Sequence, residues 1–327
     1  MAPSERGACR GGIDLGGTKV QAIIADADNR VIGQARCPTP HEGGPDAVAA
    51  AMEGALREAA NGAGIDPATL LGVGVGSPGE VDGATGAVAN AKNLPAWTDS
   101  YPLAARLTEA LGARVAVGND VGVATNAEYA LGAGRGHNSV LGVFWGTGVG
   151  GGLILGGRPW HGRGAAGEIG HMVVKRDGAR CPCGNHGCME AYAGRSAMES
   201  EARRRVEDGE HTDLFKLMAK HDKPRLTSGI WERALDHGDR MAEHLIDRAV
   251  KALGAGIASA VNLIDPEIVI LGGGLGVRFG ERLGPEIRRN MEKNLFLHED
   301  PPEFRVAALG DLGGALGAAL LVARSDG

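Results

Sequence analysis

The sequence predicts an α/β fold laid down twice, as two halves on one plan. Three observations carry this. The chain has 327 residues, about twice an ordinary domain of roughly 150, so each half is long enough to bury its own core. The order strand, glycine turn, strand, turn, strand, helix, strand, helix runs between Gly12 and Leu131 and again between Val140 and Ala323, the mark of a duplicated unit. The 55 glycines far exceed the usual share of about 7%, yet follow no G-X-Y period. With 43% apolar residues, collagen and disorder are excluded, and the glycine belongs in turns and close backbone approaches.

In the first half, Ile13–Leu15, Val20–Ala25 and Val31–Ala35 read as short strands joined by tight turns, the first being Gly16-Gly17-Thr18. A helical stretch from Pro45 to Ala63 follows, then a β-rich run Leu71–Val75 ending in Gly76-Ser77-Pro78-Gly79. Arg114–Val117 reads as a buried strand, and Gly118-Asn119-Asp120 leads into a helix with apolar spacing through Val123, Ala127 and Leu131. The second half repeats this with strands Val140–Trp145 and Gly151–Leu155 around Gly146-Thr147-Gly148, then the turn Gly156-Gly157. A long insertion separates these from a helix over Arg240–Leu263, a strand Ile268–Leu271 running into Gly272-Gly273-Gly274, a strand over Phe304–Leu309 and a last helix over Leu312–Ala323.

The formal net charge of −6 gives no general attraction for nucleic acid or an anionic membrane, which favours a small-molecule partner. The stretch Val140–Gly157 is uncharged but broken by glycines, and Met1–Gly11 has no apolar signal core. A cytoplasmic placement is expected. Arg203-Arg204-Arg205 sits beside Glu201 and Glu207 and reads as a solvated helix face. The polar segment Glu207–Arg225 reads as surface or subunit contact, and Trp160-His161 as loop packing.

The glycine turns point to phosphate. Gly12–Lys19 is no P-loop, because Thr18 precedes Lys19 and a strand follows. Gly146, Gly148 and Gly151 have dinucleotide-fold spacing, but β-structure continues where that fold needs a helix. Each turn alone could be a hairpin connection; a matched pair suggests two lobes facing across a cleft, each offering backbone N–H groups to a nucleotide triphosphate. Asp14 at the end of the first strand could then hold Mg²⁺ through water, or be a turn acid. Asp120 stands where ligands bind in open α/β sheets, and equally where a helix is capped.

Cys181, Cys183 and Cys188 crowd into eight residues, which reads as a zinc knuckle in a reducing compartment rather than a disulfide framework. A fourth N/S ligand would close the shell and make the site structural. His171 and His186 compete for that place. A nucleic-acid-reading finger is disfavoured, because basic and aromatic neighbours are few.

Asp14-Leu-Gly-Gly-Thr-Lys19, Gly146-Thr-Gly148, Glu168-Ile-Gly-His171 and Cys181-x-Cys183-Gly-x-x-Gly-Cys188-x-Glu190 together resemble the ROK family of bacterial sugar kinases and sugar-responsive repressors, over about Gly12–Ala323. Trp145 departs from the aliphatic residue usual there. The resemblance implies an actin-like, hexokinase-type (ribonuclease H-like) two-lobe fold with an interlobe cleft and a small zinc knuckle. It implies ATP-dependent phosphorylation of a hexose 6-hydroxyl, glucose foremost, with Mg²⁺ and a structural zinc held by His171, Cys181, Cys183 and Cys188. Asp120 is implied as the catalytic base. Gly79, Asn93, Asn119, Glu168, His171 and Glu190 are implied at the sugar, His171 serving both metal and sugar through its two ring nitrogens. Asp14, Gly16, Gly17, Thr18, Lys19, Gly146, Thr147 and Gly148 are expected at the phosphates and metal, and Gly272, Gly273 and Gly274 at the adenosine, though that last turn also reads as a helix cap.

The expected lobes are residues 1–124 with 310–327, and residues 125–309. A homodimer or higher homo-oligomer follows from the resemblance alone. N-acetylmannosamine, fructose and mannose stand as alternative acceptors, and polyphosphate as an alternative donor. Glu168 and Glu190 could also be read as a hydrolase pair, but phosphate turns have no use there. A repressor is disfavoured, since only eleven residues precede the first strand.

Overall fold

The computed structural model describes residues 9–91, 94 and 96–322. The chain divides into two compact units: Met1–Arg135 with His161–Ala166 and Ala308–Gly327, and Gly136–Trp160 with Gly167–Ala307. In chain order the first unit holds β1 (Arg10–Leu15), β2 (Lys19–Ala25), β3 (Val31–Pro38), α1 (Gly44–Ala63), β4 (Val73–Ser77), the small hairpin β5 (Glu80–Val81) and β6 (Val88–Ala89), α2 (Leu103–Leu111), β7 (Val115–Asn119) and α3 (Asp120–Leu131). The second unit follows with β8 (Val140–Trp145), β9 (Val149–Leu155), β10 (Arg158–Pro159), α4 (Glu190–Ala193), α5 (Arg195–Glu207), α6 (Leu214–Lys220), α7 (Ser228–Asp236), α8 (Arg240–Ile264), β11 (Ile268–Gly272), α9 (Gly273–Glu292) and β12 (Glu303–Val306). The chain then returns to the first unit for α10 (Gly313–Leu320).

Both five-stranded sheets have one topology, β3-β2-β1-β4-β7 and β10-β9-β8-β11-β12. In each, the first three strands form an antiparallel meander and the last two join parallel to the first. The duplicated plan is therefore present at the level of strand order. Hydrogen-bonded hairpins explain the meanders; the parallel additions need helical crossovers, supplied by α1 and α2 in one unit and by the α4–α8 insertion and α9 in the other.

Alternation in β1 and β4 shows how the first unit is layered. Ile13, Leu15, Val73 and Val75 share a core with Leu56 of α1 and Leu107 of α2. The alternate positions, Gly12 and Gly74, face α10: a Cβ there would lie 2.0 Å from the Ala315 carbonyl oxygen and 1.7 Å from that of Ala318. Only glycine lets a helix lie directly on the sheet backbone at such positions. The second unit's core is larger and holds Trp145, Trp231 and Phe279 around α8.

Several boundaries differ from the sequence reading. The last strand stops at Val306, because the N–H groups of Ala308 and Leu309 leave the ladder and donate to the buried Glu128 carboxylate at 3.0 and 2.9 Å. The polar segment Glu207–Arg225 contains α6, whose Leu214 and Leu217 are buried, so it contributes core as well as surface. Trp160 is half exposed rather than packed. Among the described residues, no helix is long and apolar enough to cross a membrane.

Candidate active site

In the first unit Asp14, Asn119 and Asp120 lie along the carboxyl edge of three parallel strands. Asp14 pairs across the sheet with Gly76, Gly76 with Gly118, and Ser77 with Asn119, so Asp14 and Asn119 end strands two places apart on the edge where α/β sheets bind ligands. The turn after β1 is closed by Gly16 N–H donating to the Lys19 carbonyl (2.9 Å), and Thr39 Oγ1 donates to the Gly16 carbonyl (2.7 Å). These bonds close Gly16, Gly17 and Thr18 into a partly exposed loop.

Asp14 is half-buried, and its carboxyl group is crowded by the first turn of α10, where a Cβ on Gly314 would meet it at 2.6 Å. Burial pushes its pKa above the ordinary value; Lys19 pulls it back and Asp311 adds to the rise. Lys19 Nζ lies 3.8 Å from Asp311 Oδ2. Carboxylate oxygens of this kind suit a hydrated magnesium ion, which takes one or two carboxylates and keeps several waters. Neither Asp311 nor Gly314 was singled out from sequence; the Gly313-Gly314 pair at a helix start was visible, but not what it faces.

At the end of β7 the two readings of Asp120 separate. Asn119 is the helix cap, its side chain accepting from Val121 N–H and Gly122 N–H at 3.1 Å each. Asp120 is the first residue of α3, with Oδ1 accepting from Val121 N–H at 2.9 Å. The Asn119 amide oxygen is thus engaged by backbone. Gly79, at φ 95°, makes the turn between β4 and the β5–β6 hairpin. Asn93 lies outside the described residues.

In the second unit the two expected glycine turns are neighbours, at the carboxyl ends of the paired strands β8 and β11. Gly273, at φ 81°, sits so close to β8 that a Cβ would lie 2.6 Å from the Trp145 carbonyl oxygen. Gly272 precedes α9, and Gly273 and Gly274 form its first turn, so this segment opens a helix rather than closing one. The Gly146–Gly148 turn is closed by Gly146 N–H donating to the Gly148 carbonyl (2.9 Å). It packs against the start of α5: Arg195 N–H donates to the Gly146 carbonyl, Ser196 N–H to the Thr147 carbonyl, and Arg195 Nη2 to Thr147 Oγ1. Sequence reading passed over Arg195 because nothing local marks it.

Glu190 opens α4, and its Oε2 accepts from Val149 N–H at 2.9 Å, which ties the glycine turn to the cysteine knuckle two residues upstream. The knuckle is held by Cys181 N–H to the Asn185 carbonyl and Gly187 N–H to the Ala179 carbonyl, both 2.8 Å, with Tyr192 Oη accepting from Ala179 N–H. His171, Cys181, Cys183 and Cys188 present donor atoms all within 4.8 Å of one another. His186, the competing ligand, is exposed and outside this group.

The spacing fits zinc. Bonds of about 2.3 Å to sulfur and about 2.0 Å to nitrogen in a tetrahedron give edges of roughly 3.8 Å for S···S and roughly 3.5 Å for S···N. Cys183 Sγ and Cys188 Sγ are 3.7 Å apart, as are Cys181 Sγ and His171 Nδ1. Burial pushes the Cys181 thiol up to about 12; a dication coordinated by sulfur reverses that shift. His171 directs Nδ1 into this cluster, while Nε2 lies 3.8 Å from Glu168 Oε2. Glu168 is exposed.

Two copies of one mixed sheet, each with a glycine turn between its first two strands, define a duplicated α/β chain of the actin-like, hexokinase type. The chain belongs to the ROK family, whose family model matches residues 10–325. It is similar to a glucokinase from Halalkalibacterium halodurans, 32% identical over 318 residues, which span 96% of this chain and 95% of that one. An N-acetyl-D-glucosamine kinase from Pectobacterium atrosepticum is 32% identical over 321 residues, 95% of this chain and 97% of the relative. Among solved structures, a ROK family glucokinase from Streptomyces griseus in complex with glucose and AMPPNP superposes with a TM-score of 0.80 at 32% identity, covering 96% of this chain and 98% of that one.

Proposed function

We propose that this chain transfers the terminal phosphoryl group of ATP to the 6-hydroxyl of a hexose, with glucose as the acceptor. One observation carries the reading: Asp120 stands one residue past the cap supplied by Asn119, on the strand edge that also bears Asp14 and the Gly16–Lys19 turn. The similarity to glucokinases over nearly the whole chain supports it.

Phosphoryl transfer has a loose transition state, so the protein's work is alignment and charge neutralisation. Asp120 accepts the proton of the 6-hydroxyl as the oxygen attacks phosphorus. Glu168, His171, Glu190, Asn93 and Asn119 are assigned to the sugar hydroxyls with backbone at Gly79. A sugar lacking one of those hydroxyls would cover a polar side chain without pairing it. Gly16, Gly17, Thr18 and Lys19, with Gly146, Thr147 and Gly148, are assigned to the phosphates, and Gly272, Gly273 and Gly274 to the adenosine. Magnesium held through water at Asp14 would neutralise triphosphate charge. Zinc held by His171, Cys181, Cys183 and Cys188 would fix the ring orientation and tautomer of His171, leaving Nε2 for a sugar hydroxyl.

The N-acetyl-D-glucosamine kinase at equal identity favours a second acceptor. A panel of glucose, mannose, fructose, N-acetylmannosamine and N-acetylglucosamine, each with ATP and with polyphosphate, decides between them. Asp120→Asn is expected to keep hexose binding by calorimetry while turnover falls about 10²- to 10⁴-fold. Turnover near that of the parent would refute the assignment of Asp120.

A further inference from the structure

The Gly146–Thr147–Gly148 turn owes its shape to α5, and in particular to Arg195. Arg195 N–H donates to the Gly146 carbonyl at 3.1 Å and Ser196 N–H to the Thr147 carbonyl at 3.0 Å. In a trans peptide the N–H points opposite to the carbonyl of the same plane, and the described chain has no cis bonds. Turning the Gly146 and Thr147 carbonyls toward α5 therefore turns the N–H groups of Thr147 and Gly148 away from it. Two successive N–H groups aimed to one side are the elements of an anion nest.

The Arg195 side chain adds a third donor. Nη1 is anchored on the Leu226 carbonyl at 3.1 Å, and Nη2 donates to Thr147 Oγ1 at 2.8 Å. A hydroxyl that accepts from a guanidinium has its own proton left to donate, and the adjacent cation makes that proton a stronger donor. Thr147 itself is partly exposed.

The charge behind it is not cancelled locally. Among the described residues no ion pair includes Arg195; Glu199, the acid that acts on it most, is engaged by Arg203 at 2.7 Å and by Leu226 N–H at 3.0 Å. Burial pulls the Arg195 pKa below its usual value, Glu199 opposes that and Arg225 adds to it. Glu190 lies on the turn beside Gly148, its Oε2 accepting from Val149 N–H. The turn thus has a carboxylate beside Gly148 and a guanidinium on Thr147.

We propose that Arg195 is a positioning residue for the donor phosphates: it orders the turn as a three-donor cradle and polarises the Thr147 hydroxyl toward a phosphate oxygen. The proposal rests on the phosphotransfer reading above. Its test compares the full-length parent with Arg195→Met, Arg195→Lys, Thr147→Val and the Arg195→Met/Thr147→Val double variant. AMPPNP affinity is read by calorimetry, and kcat and both KM values by coupled assay.

Arg195→Met is expected to weaken AMPPNP binding and raise the KM for ATP about 10- to 100-fold, with the hexose KM unchanged. Arg195→Lys is expected to recover part of this, since it keeps the charge but not the two-pronged anchor. Thr147→Val, a change in a partly exposed turn, is expected to lose a similar factor. The double variant is expected to lose much less than the product of the two, since both remove one coupled interaction. Multiplicative losses, or equal rises in both KM values, would overturn the proposal. Unchanged affinity in Arg195→Met, with an active parent, overturns the role of Arg195 alone. A parent that neither binds AMPPNP nor phosphorylates any hexose overturns the phosphotransfer reading and this proposal together.

Discussion

Asp14 and the cysteine knuckle show single side chains carrying opposite loads. The folded chain holds a proton on Asp14 more tightly than the unfolded chain does, chiefly because burial penalises its charge. A raised carboxyl pKa gives stability that is complete at low pH and is lost as pH rises through the folded value. Asp14→Asn removes that penalty. Its thermal midpoint is expected above the parent's at about pH 7.5, the gap closing near about pH 3, while phosphotransfer falls. Melting both proteins across that range checks the sign. At the knuckle, Cys183→Ser removes one of four donors. Metal analysis is expected to fall from about one zinc per chain to near zero, with hexose affinity reduced about 10-fold or more through the loss of His171 orientation. Full zinc retention would refute the ligand set.

Among the elements, α10 is the most exacting. It lies against β1 and β4 where Gly12 and Gly74 leave the sheet bare, and its own Gly317 approaches the Val123 carbonyl of α3 so closely that a Cβ would meet it at 2.3 Å. Backbone on both sides leaves nothing soft to yield. Gly74→Ala is accordingly expected to destabilise the chain by about 3 kcal/mol or more, as overpacking does where no side chain can move aside. A denaturant midpoint within error of the parent would contradict this packing. The helix also carries Gly314 against the Asp14 carboxyl group, so shifting α10 is expected to reach catalysis as well as stability.

Over the whole molecule, apart from the excursion His161–Ala166, which belongs to the first unit, the chain leaves that unit after Arg135 and re-enters it at Ala308. Glu128, almost fully buried, fastens both points: it accepts from Ala133 N–H on the way out and from Ala308 and Leu309 N–H on the way back. Within the second unit Glu267 has a matching role, accepting from Asn138 and Ser139 N–H just after entry. Glu128→Ala would leave three N–H groups without their charged acceptor, and is expected to lower stability by about 3 kcal/mol or more. Glu128→Gln, which keeps an acceptor but not the charge, is expected to lose less; equilibrium unfolding of both measures the difference.

The sequence by itself determined the duplicated strand order, the two glycine turns and the cysteine knuckle, because each is written in local terms: periodicity, turn residues and ligand spacing. It placed Asp120 at a strand-to-helix junction but left open whether that residue capped the helix or faced a ligand; the backbone angles and hydrogen bonds of α3 gave the cap to Asn119. It offered two histidines to the metal cluster, and the fold brought His171 alone within reach. Asp311 beside Lys19, Gly314 against Asp14, Glu128 at the chain crossing and Arg195 behind Thr147 were decided only in three dimensions. Each of these acts on a partner from another element, and the packing of helices on sheets, rather than any spacing along the chain, sets which partner that is.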